Sequence, residues 1–455
     1  MAMNPFRNKL IGALAAIGPR FLPFADAATA ELPLRRLLRL ALFQVSVGMS
    51  LVLLIGTLNR VMIVELGVAA SLVSAMLALP LLAAPFRAII GFKSDNHRSA
   101  LGWRRVPFIW MGTLLQFGGF AIMPFSLLVL SGAGQSGEAP SWIGHAAAAL
   151  AFLLVGSGVH ATQTVGLALA TDLAPTEAQP KVVGLMYAML LIGMILSALI
   201  FGTLLEEYSP GRLIQVIQGA AAATMILNIT ALWKQEARSD QYRIGQPREQ
   251  TSFASAWSLF LEGKDATRRL WVVGMGTMAF TMEDVLLEPY GGEILGLSVA
   301  LTTTLTATLA IGGLAGFAWA SKILGRGADP FRMAGNGALL GIPAFIAVMT
   351  AAPLQSVELF AIGTFLIGAG GGMFGHGTLT ATMNLAAPGQ AGLALGAWGA
   401  VQATMAGIAM GLGGLIRDLV AAQTSSTIGY LAVYTLEILL LQATLMAMGP
   451  LLRRD

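Results

Sequence analysis

Cysteine is missing from the 455 residues, charged side chains make up only 11% of them, and there are just four histidines. The first absence excludes disulfides, thiolate metal sites, iron-sulfur ligation and cysteine nucleophiles together. The second excludes a large aqueous catalytic domain, because soluble domains carry roughly 25% charged residues. No His-Glu-x-x-His, Walker loop, nucleophile elbow or dinucleotide fingerprint occurs, and the glycine-rich runs lie inside apolar stretches instead of following strands. An enzyme is therefore not expected. Nor is nucleic-acid binding: no basic tract is interleaved with aromatics, and basic loops meeting anionic lipid account for the net charge of +4.

What the chain has in abundance is apolar length. Hydrophobic residues make up 56% of it, with a mean hydropathy of +0.74. About twelve segments meet the ~20-residue criterion for crossing a bilayer. They run over 40–64, 70–92, 106–130, 142–170, 183–205 and 213–233, then 270–291, 298–321, 332–352, 357–384, 391–416 and 427–450. Alternate connections plus the two ends hold 23 of the 27 basic residues; Arg212 and Arg417 fall in the other loops, and Arg60 and Arg87 within helices. By the positive-inside rule, both ends are predicted in the cytoplasm.

The segments divide six and six around the polar stretch 234–269, read as a cytoplasmic linker in which Phe253, Trp257, Phe260 and Leu261 have the spacing of a surface-lying helix. Residues 1–39, broken by Pro5, Pro19, Pro23 and Pro33, read as a cytoplasmic arm with an interfacial helix near Leu10 to Ile17, and not as a cleaved leader. The expected organisation is thus an arm, a six-helix half over 40–233, the linker, a second half over 270–450 and a tail over 451–455.

Glycine, at 54 residues, points to close helix packing, since small residues let backbones approach where lipid removes the hydrophobic drive for association. Gly368 to Gly372 and Gly407, Gly411, Gly413 and Gly414 read as packing faces or hinges. An ungapped shift of 212 residues lays Gly156 on Gly368, Gly158 on Gly370, Gly184 on Gly396 and Ala188 on Ala400. A parallel repeat of six-helix halves is what the major facilitator architecture shows. The loop after the second segment, Gly91-Phe-Lys-Ser-Asp95 with Arg98, Gly102, Arg104 and Arg105, resembles the facilitator signature, although Asn96 stands where a basic residue is usual. Asp172-Leu-Ala-Pro175 resembles that family's charged latch. The second-half counterpart keeps Gly325 and Arg326 but has only the late Asp329. The fold expected is all-α, twelve transmembrane helices in two halves.

Thr281-Met-Glu283-Asp284-Val-Leu-Leu-Glu288-Pro289-Tyr290-Gly291-Gly292-Glu293 is the most unusual line in the chain. Glu283 falls roughly 20 Å along its helix from Leu270. Carboxyl groups at that depth mark a pathway, a proton site or a paired ligand site; the alternative is that they cap a broken helix end and face water, with Glu288 at the outer interface. His160 and His376 lie inside the fourth and tenth segments, which in a facilitator fold line the cavity with the first and seventh, where Asn59 is placed as well. Each imidazole is read either as an interhelical hydrogen-bond donor or as a metal ligand. His97 and His145 read as interfacial.

Met282-Glu-Asp-Val-Leu-Leu-Glu-Pro-Tyr-Gly-Gly292, Phe92-Lys-Ser-Asp-Asn-His-Arg98 with Gly102-Trp-Arg-Arg105, and Gly158-Val-His-Ala-Thr-Gln-Thr-Val-Gly-Leu-Ala-Leu-Ala-Thr-Asp172-Leu-Ala-Pro175 together resemble the PucC/LhaA-type proteins of photosynthetic bacteria, the bacteriochlorophyll delivery family. The resemblance covers roughly residues 35 to 450. It implies a non-enzymatic factor in the bacterial inner, intracytoplasmic membrane that docks light-harvesting antenna polypeptides, or the reaction centre antenna complex. Bacteriochlorophyll would be its cargo, with His160 or His376 as a ligand to chlorin magnesium. His160, His376, Glu283, Asp284 and Asn59 are the residues expected to contact pigment or protons. The alternative from another class is a proton-coupled small-molecule transporter that uses Glu283 and Asp284; a third reading is a scaffold that caps one edge of an antenna ring.

Overall fold

The computed structural model describes residues 27–29, 32–82, 87, 90–91, 93–94, 97, 99, 102–132, 139–175, 178–237, 265–384 and 391–452, the side chains of 180 and 391–397 excepted. Asp95, Arg98, the two predicted surface helices, most of the N-terminal arm and the last three residues lie outside them. The described residues form helices and no strands: α1 (Leu34–Glu65), α2 (Ala70–Leu82), α3 (Val106–Leu130), α4 (Ser141–Asp172), α5 (Gln179–Leu204), α6 (Pro210–Leu232), α7 (Ala266–Glu293), α8 (Val299–Leu324), α9 (Pro330–Ala351), α10 (Val357–Asn384), α11 (Ala391–Gln423) and α12 (Ser426–Leu452). Eleven are long and apolar enough to cross a membrane; the described part of α2 is shorter.

Local chemistry sets several boundaries. Ser209 and Asp329 cap α6 and α9 by accepting from the backbone N–H of Arg212 at 3.2 Å and Arg332 at 2.6 Å. A proline follows each cap at the first helical position, where no N–H is needed. Gly67, at φ +64°, takes the left-handed turn after α1. Large apolar side chains such as Phe125, Trp142, Ile226, Trp271 and Met446 are exposed. Such a surface suits lipid.

The helix neighbours repeat. In the first half α4 packs on α3 and α2, α3 on α6, and α1 on α5; in the second α10 packs on α9 and α8, α9 on α12, and α7 on α11. The halves meet through α2 with α11 and α5 with α8, pairs that exchange under the same two-fold relation. The glycines aligned in sequence occupy equivalent contacts. A β-carbon on Gly158 would lie 2.7 Å from the Gln116 amide nitrogen of α3, and one on Gly370 2.8 Å from the Gly337 carbonyl of α9. On Gly156 it would meet Pro80 of α2 at 2.5 Å, and on Gly368 the Gly313 nitrogen of α8 at 2.9 Å. The glycine tracts are therefore packing faces. Gly407 and Gly414 do the same between the halves, against Leu81 and Ala70 of α2.

Two expectations need correcting. Arg417 is not in a loop but within α11, which runs on to Gln423. α1 begins at Leu34, six residues before the predicted start, and widens into π turns at Val52–Leu58 and Val61–Glu65 on either side of Asn59 and Arg60.

Candidate functional site

Proline at position 289 dictates the geometry of α7. It cannot donate to the carbonyl four residues back and its ring clashes there. The helix stops at Ala279, makes a 3-10 turn at Glu283–Val285, and resumes at Leu287–Glu293, with Pro289 in its first turn. The carbonyl that Pro289 leaves unserved is that of Val285, and Asn59 Nδ2 of α1 donates to it at 3.0 Å. The break also frees the Glu283 N–H, which donates to Glu437 Oε1 of α12 at 2.7 Å. Thr306 of α8 donates to Glu288 Oε1 at 2.8 Å.

Three buried carboxyl groups are thus gathered round one helix break. Glu283 and Glu288 are each 2% exposed and Glu437 is 0% exposed, and each keeps an Oε2 with no hydrogen-bond partner, as does Asn59 Oδ1. Asp284 is only partly buried. Tyr290, Tyr430 and Tyr434 wall the site, their rings in edge contact at 5.4 and 5.5 Å. Among the described residues no Lys or Arg forms an ion pair with the three acids. In a low-dielectric interior such a cluster is accommodated only by binding protons or a positively charged group. No group of three His, Asp or Glu with metal-binding geometry occurs among the described residues.

Ties between helices close the end of the bundle beyond the acids. Arg417 of α11 pairs with Glu293 of α7 at 2.6 Å, Tyr430 donates to the same carboxylate at 2.8 Å, and Asp418 accepts from the Ser71 N–H of α2 at 2.7 Å. Arg60 pairs with Glu65 and donates to the Leu297 carbonyl at 3.1 Å. At the other, basic end the loop motif residues meet within the first half. Arg104 and Arg105 both bind Asp172, Arg105 at 3.0 Å; Arg105 also donates to Ser94 at 2.7 Å, whose hydroxyl donates to the Gly91 carbonyl. Pro175 turns the chain beyond, its carbonyl accepting from the Ala178 N–H. Glu236, past α6, accepts from the N–H groups of Arg104, Arg105 and Val106 at 2.8 to 2.9 Å and so holds the start of α3.

The residues singled out in the sequence are therefore sorted into different neighbourhoods. Asn59 and Glu283 meet at the α7 break, with Asp284 next in the chain. His376 packs against Phe317 of α8, ring centroids 4.3 Å apart. His160 stands with Arg87 in the first half. Glu288 is not at the outer interface but buried against Thr306, because the resumed helix turns it inward. The reading of water-facing caps fails for the same reason. Glu437 escaped the sequence reading, although it is the only charged residue between Ser426 and Leu452 and an ionisable group in so apolar a helix is itself a signal.

The family model described as PUCC protein matches residues 57–455. A protein named PucC from Rhodovulum sulfidophilum is 62% identical over 93% of the chain and 94% of its own length. Another of that name from Cereibacter sphaeroides is 58% identical over 97% of both. Among solved structures, a bacterial homologue of the iron transporter ferroportin in an inward-facing state superposes with a TM-score of 0.64 at 15% identity, covering 90% of this chain and 99% of the other. That likeness is one of fold.

Proposed function

The chain belongs to the PucC family, and from that membership we propose that it serves as a non-catalytic assembly factor for light-harvesting antenna complexes, docking antenna polypeptides and handing over bacteriochlorophyll. The observation that carries this reading is the near-full-length match to PucC proteins, the group that the α7, α4 and second-loop motifs resemble and that is associated with antenna assembly. Two features of the bundle support it. An apolar cleft of about 380 Å³ opens between α5 and α6, lined by Ile200, Leu204, Val216, Gly219 and Ala223, a surface suited to a hydrophobic client. His160 Nδ1 is buried without a hydrogen-bond partner, as an imidazole awaiting a ligand would be. The charge bias supports a cytoplasmic position for the basic end.

A second reading, a proton-coupled small-molecule transporter, is favoured by the three buried acids without a cation and by the transporter-like fold. Purification of the tagged protein in mild detergent from a pigment-producing host separates the two. Assembly predicts stoichiometric bacteriochlorophyll and single-span polypeptides in the eluate, with pigment reduced when His160 and His376 are both replaced by Phe. A colourless protein without polypeptides refutes assembly and leaves transport.

A further inference from the structure

Arg87 lies apart from the acids, beyond the described end of α2. Its Nε donates to Thr164 Oγ1 at 3.0 Å and its Nη2 to Gln163 Oε1 at 3.0 Å, both on α4. Both partners are neutral. Among the described residues no carboxylate pairs with this guanidinium, and Nη1 makes no hydrogen bond. His160, four residues before Thr164, shares its face of α4. Its Nδ1 is the buried nitrogen without a partner. Tyr187 of α5 completes the group: it lies within electrostatic reach of Arg87, and its hydroxyl has no hydrogen-bond partner among the described residues. Counting from Asp172 and from Gln179, Thr164 and Tyr187 both lie roughly 12 Å in from the basic end.

A guanidinium held at that depth by neutral dipoles alone is an uncompensated charge, which a membrane interior disfavours. Two groups within electrostatic reach of each other keep unused hydrogen-bonding capacity: the N–H donors on Arg87 Nη1 and the phenol of Tyr187. We propose that Arg87 and Tyr187, beside the His160 imidazole, form a subsite for a singly charged oxyanion, entered from the basic end of the bundle. One positive charge matches one negative charge, and the planar fork of Arg matches a carboxylate best. A phosphodiester has the same charge, so a free carboxylate and a lipid head group are the two sources. This subsite is in the first half and the acids are in the second, so it does not depend on either reading of the acids.

The test uses the purified full chain in a neutral detergent, with the unfolding midpoint followed by tryptophan fluorescence. Octanoate, octylamine, dihexanoyl phosphatidylglycerol and dihexanoyl phosphatidylcholine are the probes. A saturable rise with octanoate and none with octylamine is expected, with an apparent affinity at least tenfold weaker in Arg87→Gln and several-fold weaker in Tyr187→Phe. Stabilisation by phosphatidylglycerol alone, lost in Arg87→Gln, assigns the same subsite to a lipid phosphodiester. Should Arg87→Gln not fold, Arg87→Lys, which keeps the charge but loses the fork, is compared with Tyr187→Phe in its place. No response to either anion, or an undiminished response in these variants, overturns the proposal.

Discussion

The Glu437 carboxyl, on the last helix of the chain, accepts a hydrogen bond at 2.7 Å from the backbone N–H of Glu283, on the seventh. A side chain from α12 thereby replaces a bond that an unbroken α7 would have made within itself. Removing the acceptor leaves a buried N–H without a partner, which costs about 1–3 kcal/mol. Glu437→Leu should lower the unfolding stability of the detergent-solubilised protein by about that much. Glu437→Gln keeps a carbonyl acceptor in place and should cost less than about 1 kcal/mol. Equal losses in the two variants would show that the hydrogen bond is not what holds the break together.

Asn59 and Pro289 should be coupled, although one lies on α1 and the other on α7. Asn59 serves the Val285 carbonyl because Pro289 cannot. Asn59→Ala alone should destabilise by about 1–2 kcal/mol. In a Pro289→Ala background, where residue 289 can donate to that carbonyl, the same replacement should cost measurably less. A double-mutant cycle of unfolding midpoints reads the difference; a coupling below about 0.5 kcal/mol would mean that the carbonyl finds another donor.

Gly158 and Gly370 should respond alike, because they make equivalent contacts in the two halves. Alanine at either site drives a β-carbon into the backbone of the neighbouring helix, so each variant should lose about 1–3 kcal/mol or accumulate poorly. Gly219 has nothing within 4 Å of the position of a β-carbon. Gly219→Ala should therefore accumulate normally, and a loss there as large as at Gly158 would point to glycine flexibility instead of close approach.

These contacts mark what could be read from residues alone. Helix number, the two halves and the glycine faces were legible because bilayer thickness and the 212-residue shift leave few alternatives. The acid line of α7 was visible as an anomaly, yet its burial was not. Which way Glu288 turns depends on where the helix resumes after the 3-10 turn, and no periodicity survives such a break. Glu437 was legible by its isolation but not as a partner of Glu283, since their pairing across 154 residues is a matter of tertiary packing. Likewise Arg87 reads in sequence only as a basic residue within a helix; α4 beside it shows that its partners are neutral.

The acids finally separate assembly from transport in the cell. Glu283→Gln, Glu288→Gln and Glu437→Gln, with Asp284→Asn, together keep the size and the hydrogen-bonding carbonyls of the cluster but remove its capacity to exchange protons. A transporter driven by protons must load and release them in every cycle, so the amides should abolish it. An assembly factor needs only a stable α7 break with its acids neutralised, a condition the amides meet permanently. In a strain lacking the native gene, the combined variant should therefore restore antenna absorbance to within about twofold of wild type at equal protein level. A tenfold or greater loss at an undiminished protein level would mean that the cluster turns over protons, and the transporter reading would take precedence.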